Sequence, residues 1–240
     1  MAEKQTKKKK NDPVRARRAW ARFAAALAAA LALLAASEFG IVKLARGAVP
    51  IAQLDRVAAG DYVQQDLSLI LDNIAVGYRG ETANEVYAVA PSERGLYVFC
   101  FPERWFVPEL AVRAQTDAWL ADRNAGQDRY LRVSGTARTM PEDLRMRTRS
   151  WFNQNADALA QIGLIPEGAD MDSCVSECVI CVDQVGGVAY GVVMLLSLAA
   201  FLLLGYALIV LLRILLHGYR AAQPKKPSGR KPKEEQHAKA

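Results

Sequence analysis

The chain has 240 residues, with 31 Lys and Arg against 25 Asp and Glu, and its formal net charge is +6. The basic excess belongs to the two ends, because residues 47–184 hold twelve Arg, no Lys and twenty Asp or Glu, which sum to −8. Nucleic-acid binding requires a basic face on the folded domain, so this distribution excludes it, and we expect no nucleic-acid partner.

The N-terminal region combines a basic arm with a first apolar segment. Residues 1–18 form the arm, which includes the run Lys7–Lys10. Residues 19–42 are apolar and Ala-rich, long enough for a helix that crosses the ~30 Å hydrocarbon layer of a bilayer. Glu38 falls near the outer end of this span, where a carboxylate reaches interfacial water. A cleaved secretory signal is the alternative, since Ala35-Ala36-Ser37 supplies small residues for processing.

The second apolar segment, residues 185–212, contains no charged residue and ends at Arg213. Its length and composition predict a second transmembrane helix. Gly187 and Gly191 are four residues apart, a spacing that lets another helix approach closely. The spacing therefore predicts helix packing, either between the two spans or between two copies of the chain. Residues 213–240 lack apolar periodicity and are basic, which is typical of a disordered tail.

The charges that flank the two spans predict the orientation. Basic residues precede the first span and follow the second, and Lys and Arg collect on the cytoplasmic side of plasma-membrane proteins. We therefore expect both termini to be cytoplasmic and residues 47–184 to be extracytoplasmic. The basic flanks should attract the anionic lipids of the bilayer.

The middle of the chain, residues 47–184, predicts a small α+β domain with the element order β-β-β-α-β-α-β. The hydrophobic patterns and turn residues indicate these elements in chain order: one long or two short strands in Tyr62–Tyr78, a hairpin of Glu85–Ala90 and Leu96–Phe101 around Pro91–Gly95, a helix Glu109–Asp122, a strand Tyr130–Thr139, a helix from Pro141 to about Ile162, and a strand Cys174–Val185. Three strands, a helix and another strand also occur in OB-like barrels, which are the alternative fold.

The catalytic chemistry open to this domain is narrow. Both histidines, His217 and His237, lie in the basic tail, and no Lys occurs between Lys43 and that tail. The domain therefore lacks the residues for a Ser-His-Asp or Cys-His nucleophile, a Lys Schiff base, a phosphate-loop lysine or a His-containing zinc site. We expect no cofactor. A carboxylate-based hydrolase stays open as an alternative, because twenty acidic residues supply many possible pairs.

The four cysteines are the second chemical feature, with Cys100 apart from the cluster Cys174, Cys178 and Cys181. An even number of cysteines in an exported domain predicts either two disulfides or one disulfide with two free thiols. If both bridges form, Cys100 pairs with a member of the cluster. Inert buried thiols and a metal or redox site are the alternatives, although one distant and three close cysteines do not match the paired arrangement of zinc sites.

The order of basic arm, anchor, exported α+β domain, second anchor and basic tail resembles two-span membrane-protein families of Gram-positive-type bacteria that are described only as domains of unknown function. The resemblance covers this layout and the segment Glu85–Met140, where a hairpin is followed by the helix opened by Pro108 and the strand containing Val133-Ser134-Gly135. It implies no activity.

From the layout we expect a membrane-anchored protein of the cell envelope, whose exported domain is a non-enzymatic interaction or scaffold module. A thiol-dependent redox or metal-handling protein is the first alternative. A carboxylate-based hydrolase is the second.

Overall fold

A computed structural model describes residues 13–37 and 39–222. The expectations for residues 1–12, for Glu38 and for residues 223–240 lie outside the described residues. The described residues divide into two compact units, one formed by residues 13–30 and 201–222 and the other by residues 31–37 and 39–200. The described α-helices are, in chain order, α1 Pro13–Ala36, α2 Gly40–Arg46, α3 Phe106–Ala121, α4 Glu142–Gln161, α5 Met171–Cys174 and α6 Tyr190–Ala222.

Two of these helices are long and apolar enough to cross a membrane, over Arg17–Ala36 in α1 and Tyr190–Leu216 in α6. In the first unit the side chains of Ala26 and Ala30 on α1, and of Ala207 and Val210 on α6, are buried. These buried positions are small or β-branched residues, which allow helix backbones to approach closely.

The first apolar helix ends earlier than the sequence predicts. We expected a span through residue 42, but α1 ends at Ala36 and the separate short helix α2 begins at Gly40. The backbone of Phe39 between them has a φ of 53°, in the left-handed region that interrupts a right-handed helix. The hydroxyl of Ser37 donates to the carbonyl oxygen of Leu34 at 2.8 Å and so satisfies one of the last carbonyl groups of α1.

The start of the second apolar helix is also corrected. The helix was expected from residue 185, but α6 begins at Tyr190 after a small hairpin of β8 Gln184–Val185 and β9 Val188–Ala189. Gly186 and Gly187 form the turn of this hairpin with φ values of 61° and 84°. Two consecutive residues of positive φ are the requirement of a tight hairpin turn, and glycine adopts them without steric cost.

The second unit is built on a mixed seven-stranded sheet. Its strands are β1 Val49–Pro50, β2 Tyr62–Leu67, β3 Asp72–Arg79, β4 Thr82–Ser92, β5 Gly95–Pro102, β6 Leu131–Thr139 and β7 Val175–Val182, in the spatial order β1-β2-β6-β7-β5-β4-β3. Strands β5 and β7 pair in parallel in the centre, whereas β7 pairs antiparallel with β6 and β5 antiparallel with β4. The expected α+β class is confirmed.

Different helices cover the two faces of the sheet. Helix α3 contributes Val112 to the apolar cluster on one face, together with Phe99 and Ile180 of the central strands. Helix α4 contributes Phe152 to the cluster on the other face, which contains Val98. Successive strand residues point to opposite faces, so the central strands β5 and β7 are buried on both sides. Full burial of one such side chain contributes roughly 1.5–3 kcal/mol.

The hairpin of β4 and β5 is confirmed, and its turn is shorter than expected. Pairing continues to Ser92 and Gly95, so Glu93 and Arg94 make a two-residue turn instead of a five-residue connection. Gly95 has a φ of 122°, and a Cβ there would lie 2.6 Å from the carbonyl oxygen of Cys174. Both the backbone conformation and the close neighbour therefore require glycine at this position.

The barrel alternative is wrong, because the sheet is open. Strands β1 and β3 occupy opposite edges, and neither pairs with the other among the described residues. The region Tyr62–Tyr78 forms two separate strands that lie on opposite sides of the sheet, β2 beside β6 and β3 beside β4. A closed barrel would require those two edges to meet.

Candidate functional site

Two of the four cysteines lie side by side in the centre of the sheet. Cys100 on β5 and Cys181 on β7 are register partners in the parallel pairing of these strands. Both side chains belong to the apolar cluster beneath α4, and they are 4% and 6% exposed. The cluster of three cysteines near the end of the domain is therefore divided by the fold, and its last member is the neighbour of Cys100.

The other two cysteines lie apart from this pair. Cys178 belongs to the apolar cluster on the opposite face, where its thiol donates to the carbonyl oxygen of Val57 at 3.7 Å and burial raises its pKa. Cys174 is the last residue of α5 and is half-buried beside the start of β7. All four cysteines are free thiols in this structure. The expected disulfides stay a prediction.

The two thiols of the central pair differ in acidity. Hydrogen bonding with Cys100 lowers the pKa of Cys181, with support from the positive charge of Arg138 and against the effect of burial. The same hydrogen bond, together with burial, raises the pKa of Cys100. The lowered pKa favours the thiolate, which is the nucleophilic form of cysteine, at Cys181 rather than at Cys100.

Two polar residues of β4, Tyr87 and Glu85, lie near the thiol pair. Tyr87 is the register partner of Cys100 on β4 and packs against the apolar cluster that contains both thiols. The Tyr87 hydroxyl donates to Glu85 Oε2 at 2.9 Å, and both residues are partly exposed. Burial raises the pKa of Tyr87, so its hydroxyl stays protonated at physiological pH. Sequence reasoning missed Tyr87 and Glu85, because their relation to Cys100 arises from strand register alone.

The glycines expected at a helix interface occupy different settings. Gly187 lies in the turn of the hairpin before α6, and Gly191 lies in the first turn of that helix, so the two do not share a helix face. No atom lies within 4 Å of a Cβ placed at Gly191. A close approach occurs instead at Gly40 of α2, where a Cβ would lie 2.7 Å from Val193 Cγ1.

Helix α3 buries two polar residues beside Val112 and exposes large apolar ones. The residues that it buries include Glu109 and Thr116, whereas Val107 and Leu110 on its outer side are 79% and 52% exposed. A groove of about 300 Å³ lies between the first half of α3 and residues 128–131, beside the 61% exposed Tyr130. This surface, defined by Val107, Leu110 and Tyr130, is called the α3 face below.

The beginning of α3 is tied to the segment that leads into α6. The indole N–H of Trp105 donates to the carboxylate of Asp183, and Arg104 Nε donates to the same carboxylate at 2.6 Å. The backbone N–H of Tyr190, the first residue of α6, donates to the Asp183 carbonyl oxygen at 3.0 Å. One residue therefore connects the α3 face to the start of the second apolar helix.

Glu109, the first residue of the helix predicted from the sequence, carries a buried carboxyl group. It is 2% exposed, and its Oε1 has no hydrogen-bond partner among the described residues, although Arg113 Nε lies 3.7 Å away. Burial raises the pKa of Glu109 against the opposing effect of Arg113. The sequence carried one signal for this burial, the apolar face of α3. Glu109 points inward if that face points outward.

A second cavity, of about 550 Å³, lies between α4 and the α5 region and is lined in part by Arg149, Asp170 and Asp172. Asp172 pairs with Arg145 at 2.8 Å and with Arg149 at 3.3 Å. Asp170 accepts from the backbone N–H of Ser173 as the N-cap of α5. The charges around this cavity are thus partnered within the domain.

Residues 13–37 and 39–222 contain no group of three or more His, Cys, Asp and Glu side chains arranged to hold a metal ion. Comparison with known proteins finds no matching family model, no matching curated protein and no matching solved structure.

Proposed function

We propose that the chain is a two-span protein of the plasma membrane, with both termini in the cytoplasm and residues 47–184 outside it. Two helices of sufficient length and apolarity support the two spans. The basic residues outside each span support the orientation. In this proposal the exported domain is a non-enzymatic interaction module that holds a partner at the membrane surface, as expected from the layout of the chain.

The observation that carries the proposal is the outward-facing apolar surface of α3. A helix that only covers a sheet turns its apolar residues inward and its polar residues outward. In α3 the carboxyl group of Glu109 is buried, whereas Val107 and Leu110 are exposed next to an open groove. Keeping large apolar side chains in water costs free energy, and contiguous exposed apolar surface typically marks an interaction site.

The net charge of the domain indicates what kind of partner it binds. Residues 47–184 sum to −8 and contain no Lys, so the domain is repelled by an anionic lipid surface and by a second copy of itself. The partner that fits is a protein segment with apolar side chains for the α3 face and Lys or Arg residues around them. The link from Trp105 through Asp183 to α6 would hold that partner close to the membrane.

Site-specific photo-cross-linking in intact cells tests this function. A photoreactive amino acid is placed at Val107 or Leu110, with Glu81 as the control, because Glu81 is also exposed but lies in the turn between β3 and β4. We expect one discrete adduct with a different protein from the two α3 positions and none from Glu81. The adduct from Val107 should disappear with Leu110→Asp and weaken at high salt, as a charge-complementary interface requires.

Three results would contradict the proposal. Adducts of equal yield from Glu81 and Leu110 would remove the special role of the α3 face. Cross-linking to a second copy of the chain would replace the partner by a homodimer, and cross-linking to lipid alone would replace it by the bilayer. The orientation is checked separately, since Glu81→Cys should react with a membrane-impermeant maleimide on intact cells.

A further inference from the structure

The positions of the four cysteines on the sheet limit how they can pair. Residues along a strand are separated by about 3.3 Å each, and the Cα atoms of a disulfide lie 4.4–6.8 Å apart. Cys174 precedes β7 and Cys178 lies four residues further, a separation of roughly 13 Å. Cys178 and Cys181 are three residues apart and point to opposite faces of β7. No two members of the cluster can therefore bridge to each other within this fold.

The pairings that involve Cys100 are limited in the same way. Cys174 lies beside Gly95 at the start of β5, five residues from Cys100 along the strand. Cys178 belongs to the opposite face of the sheet from Cys100. Cys181 is the register partner of Cys100, at the strand spacing of about 4.8 Å, and projects from the same face.

We propose that Cys100 and Cys181 form a reversible disulfide across the two central strands, and that this is the one bridge that the fold permits. The Cα separation of neighbouring strands falls within the range found for disulfides. The Cβ atoms of register partners on parallel strands lie slightly further apart than the ~3.8 Å typical of a disulfide. The bridge therefore forms with a small inward movement of the strands, and such a bond is easier to reduce than a relaxed one.

The reaction is thiol–disulfide exchange with an external disulfide, from a small thiol or another protein. The Cys181 thiolate attacks one sulfur of that disulfide, whose S–S bond breaks and releases one external thiolate. The Cys100 sulfur, after losing its proton, then attacks the Cys181 sulfur and releases the second external thiolate. The two protein thiols lose two electrons, and the two external thiolates take up the two protons.

The bridge would join the two halves of the sheet. Strands β3, β4 and β5 lie on one side of the β5–β7 boundary, and β7, β6, β2 and β1 lie on the other. Strand β7 also leads through Asp183 to α6, so oxidation would fix the β4–β5 hairpin to the strand that enters the apolar helix. Tyr87, the register partner of Cys100, and Glu85, which accepts its hydroxyl, are partly exposed next to the buried pair.

Peptide mapping of the full-length protein in detergent tests the pairing. The reduced protein is incubated with oxidised glutathione, denatured in excess maleimide and digested with trypsin and a glutamate-specific protease, which cuts at Glu177 between Cys174 and Cys178. We expect one reducible cross-linked species that joins the Cys100 peptide to the peptide holding Cys178 and Cys181, with the maleimide on Cys178. The number of thiols that react with maleimide should fall from four to two, and the two should be Cys174 and Cys178.

The same oxidation of the chain in concentrated denaturant is the matched control. An unfolded chain favours the shortest loops, so Cys178 should then pair with Cys181 or Cys174. Pairing in the folded protein that matches this unfolded pattern would overturn the proposal, as would the absence of any bridge at a glutathione concentration that oxidises the unfolded chain. Cys178→Ser should leave the bridge unchanged, whereas Cys181→Ser should abolish it and leave Cys100 reactive.

Discussion

Replacing Gly135 by alanine should destabilise the domain, because the backbone of β7 leaves no room for a Cβ there. A Cβ at Gly135 would lie 2.3 Å from the carbonyl oxygen of Cys181, 2.7 Å from its carbonyl carbon and 3.0 Å from Val182 Cα. All three atoms belong to the backbone, so no side-chain rotation relieves the overlap. Ordinary contacts are roughly 3.5 Å, and the two strands must therefore separate by about 1 Å.

The cost follows from the pairing that this movement disturbs. Gly135 and Thr136 are paired with Val182 and Cys181, and the loss of two backbone hydrogen bonds costs about 1 kcal/mol each. Loosened packing of the buried central strands adds to this, so we expect Gly135→Ala to lower the free energy of unfolding by about 2–4 kcal/mol. For a protein of this size each kcal/mol lowers the melting temperature by roughly 2–4 °C.

Thermal unfolding of the full-length protein in detergent, followed by circular dichroism, measures this effect. Thr139→Ala is the matched control, because Thr139 is an exposed residue at the end of the same strand and should change the unfolding free energy by less than about 0.5 kcal/mol. The reasoning fails if Gly135→Ala melts within that margin of the wild type.

Two further substitutions test the buried carboxyl group and the connection to α6. Burial raises the folded-state pKa of Glu109 above its unfolded value, so the stability associated with its neutral form is present at low pH and is lost as the pH rises through the folded pKa. Glu109→Gln should therefore be more stable than the wild type at pH 8, and its melting temperature should depend less on pH between 4 and 8. An unchanged pH profile would refute this. Asp183 has a φ of 62°, and its carboxylate accepts hydrogen bonds from Trp105 and Arg104. Asp183→Ala should lower the free energy of unfolding, measured by chemical denaturation, by about 2 kcal/mol through lost hydrogen bonds and backbone strain, whereas Asp183→Asn tolerates that φ, keeps an acceptor and should cost less. Equal losses for the two variants would exclude this role.

Local patterns in the sequence determined the elements of the fold. The β4–β5 hairpin and the helices α3 and α4 were predicted within a few residues of their observed bounds, and the two apolar segments within about ten. Helix α6 continues through residues 213–222, which were wrongly assigned to a disordered tail. These features depend on neighbours in the chain, such as the apolar run before Arg213 or the proline that opens a helix. The errors at their ends have local causes, namely the left-handed backbone of Phe39 and the paired glycines of the hairpin turn before α6.

Only the tertiary structure decided which residues meet. Cys100 and Cys181 are neighbours because β7 inserts in parallel between β5 and β6, an order that strand patterns along the chain do not specify. The burial of Glu109 and the exposure of Leu110 likewise depend on which side of α3 faces the sheet. Periodicity predicts that a helix or strand exists and has two faces, but the choice of face and neighbour depends on the packing free energy of the whole domain, to which residues distant in sequence contribute most.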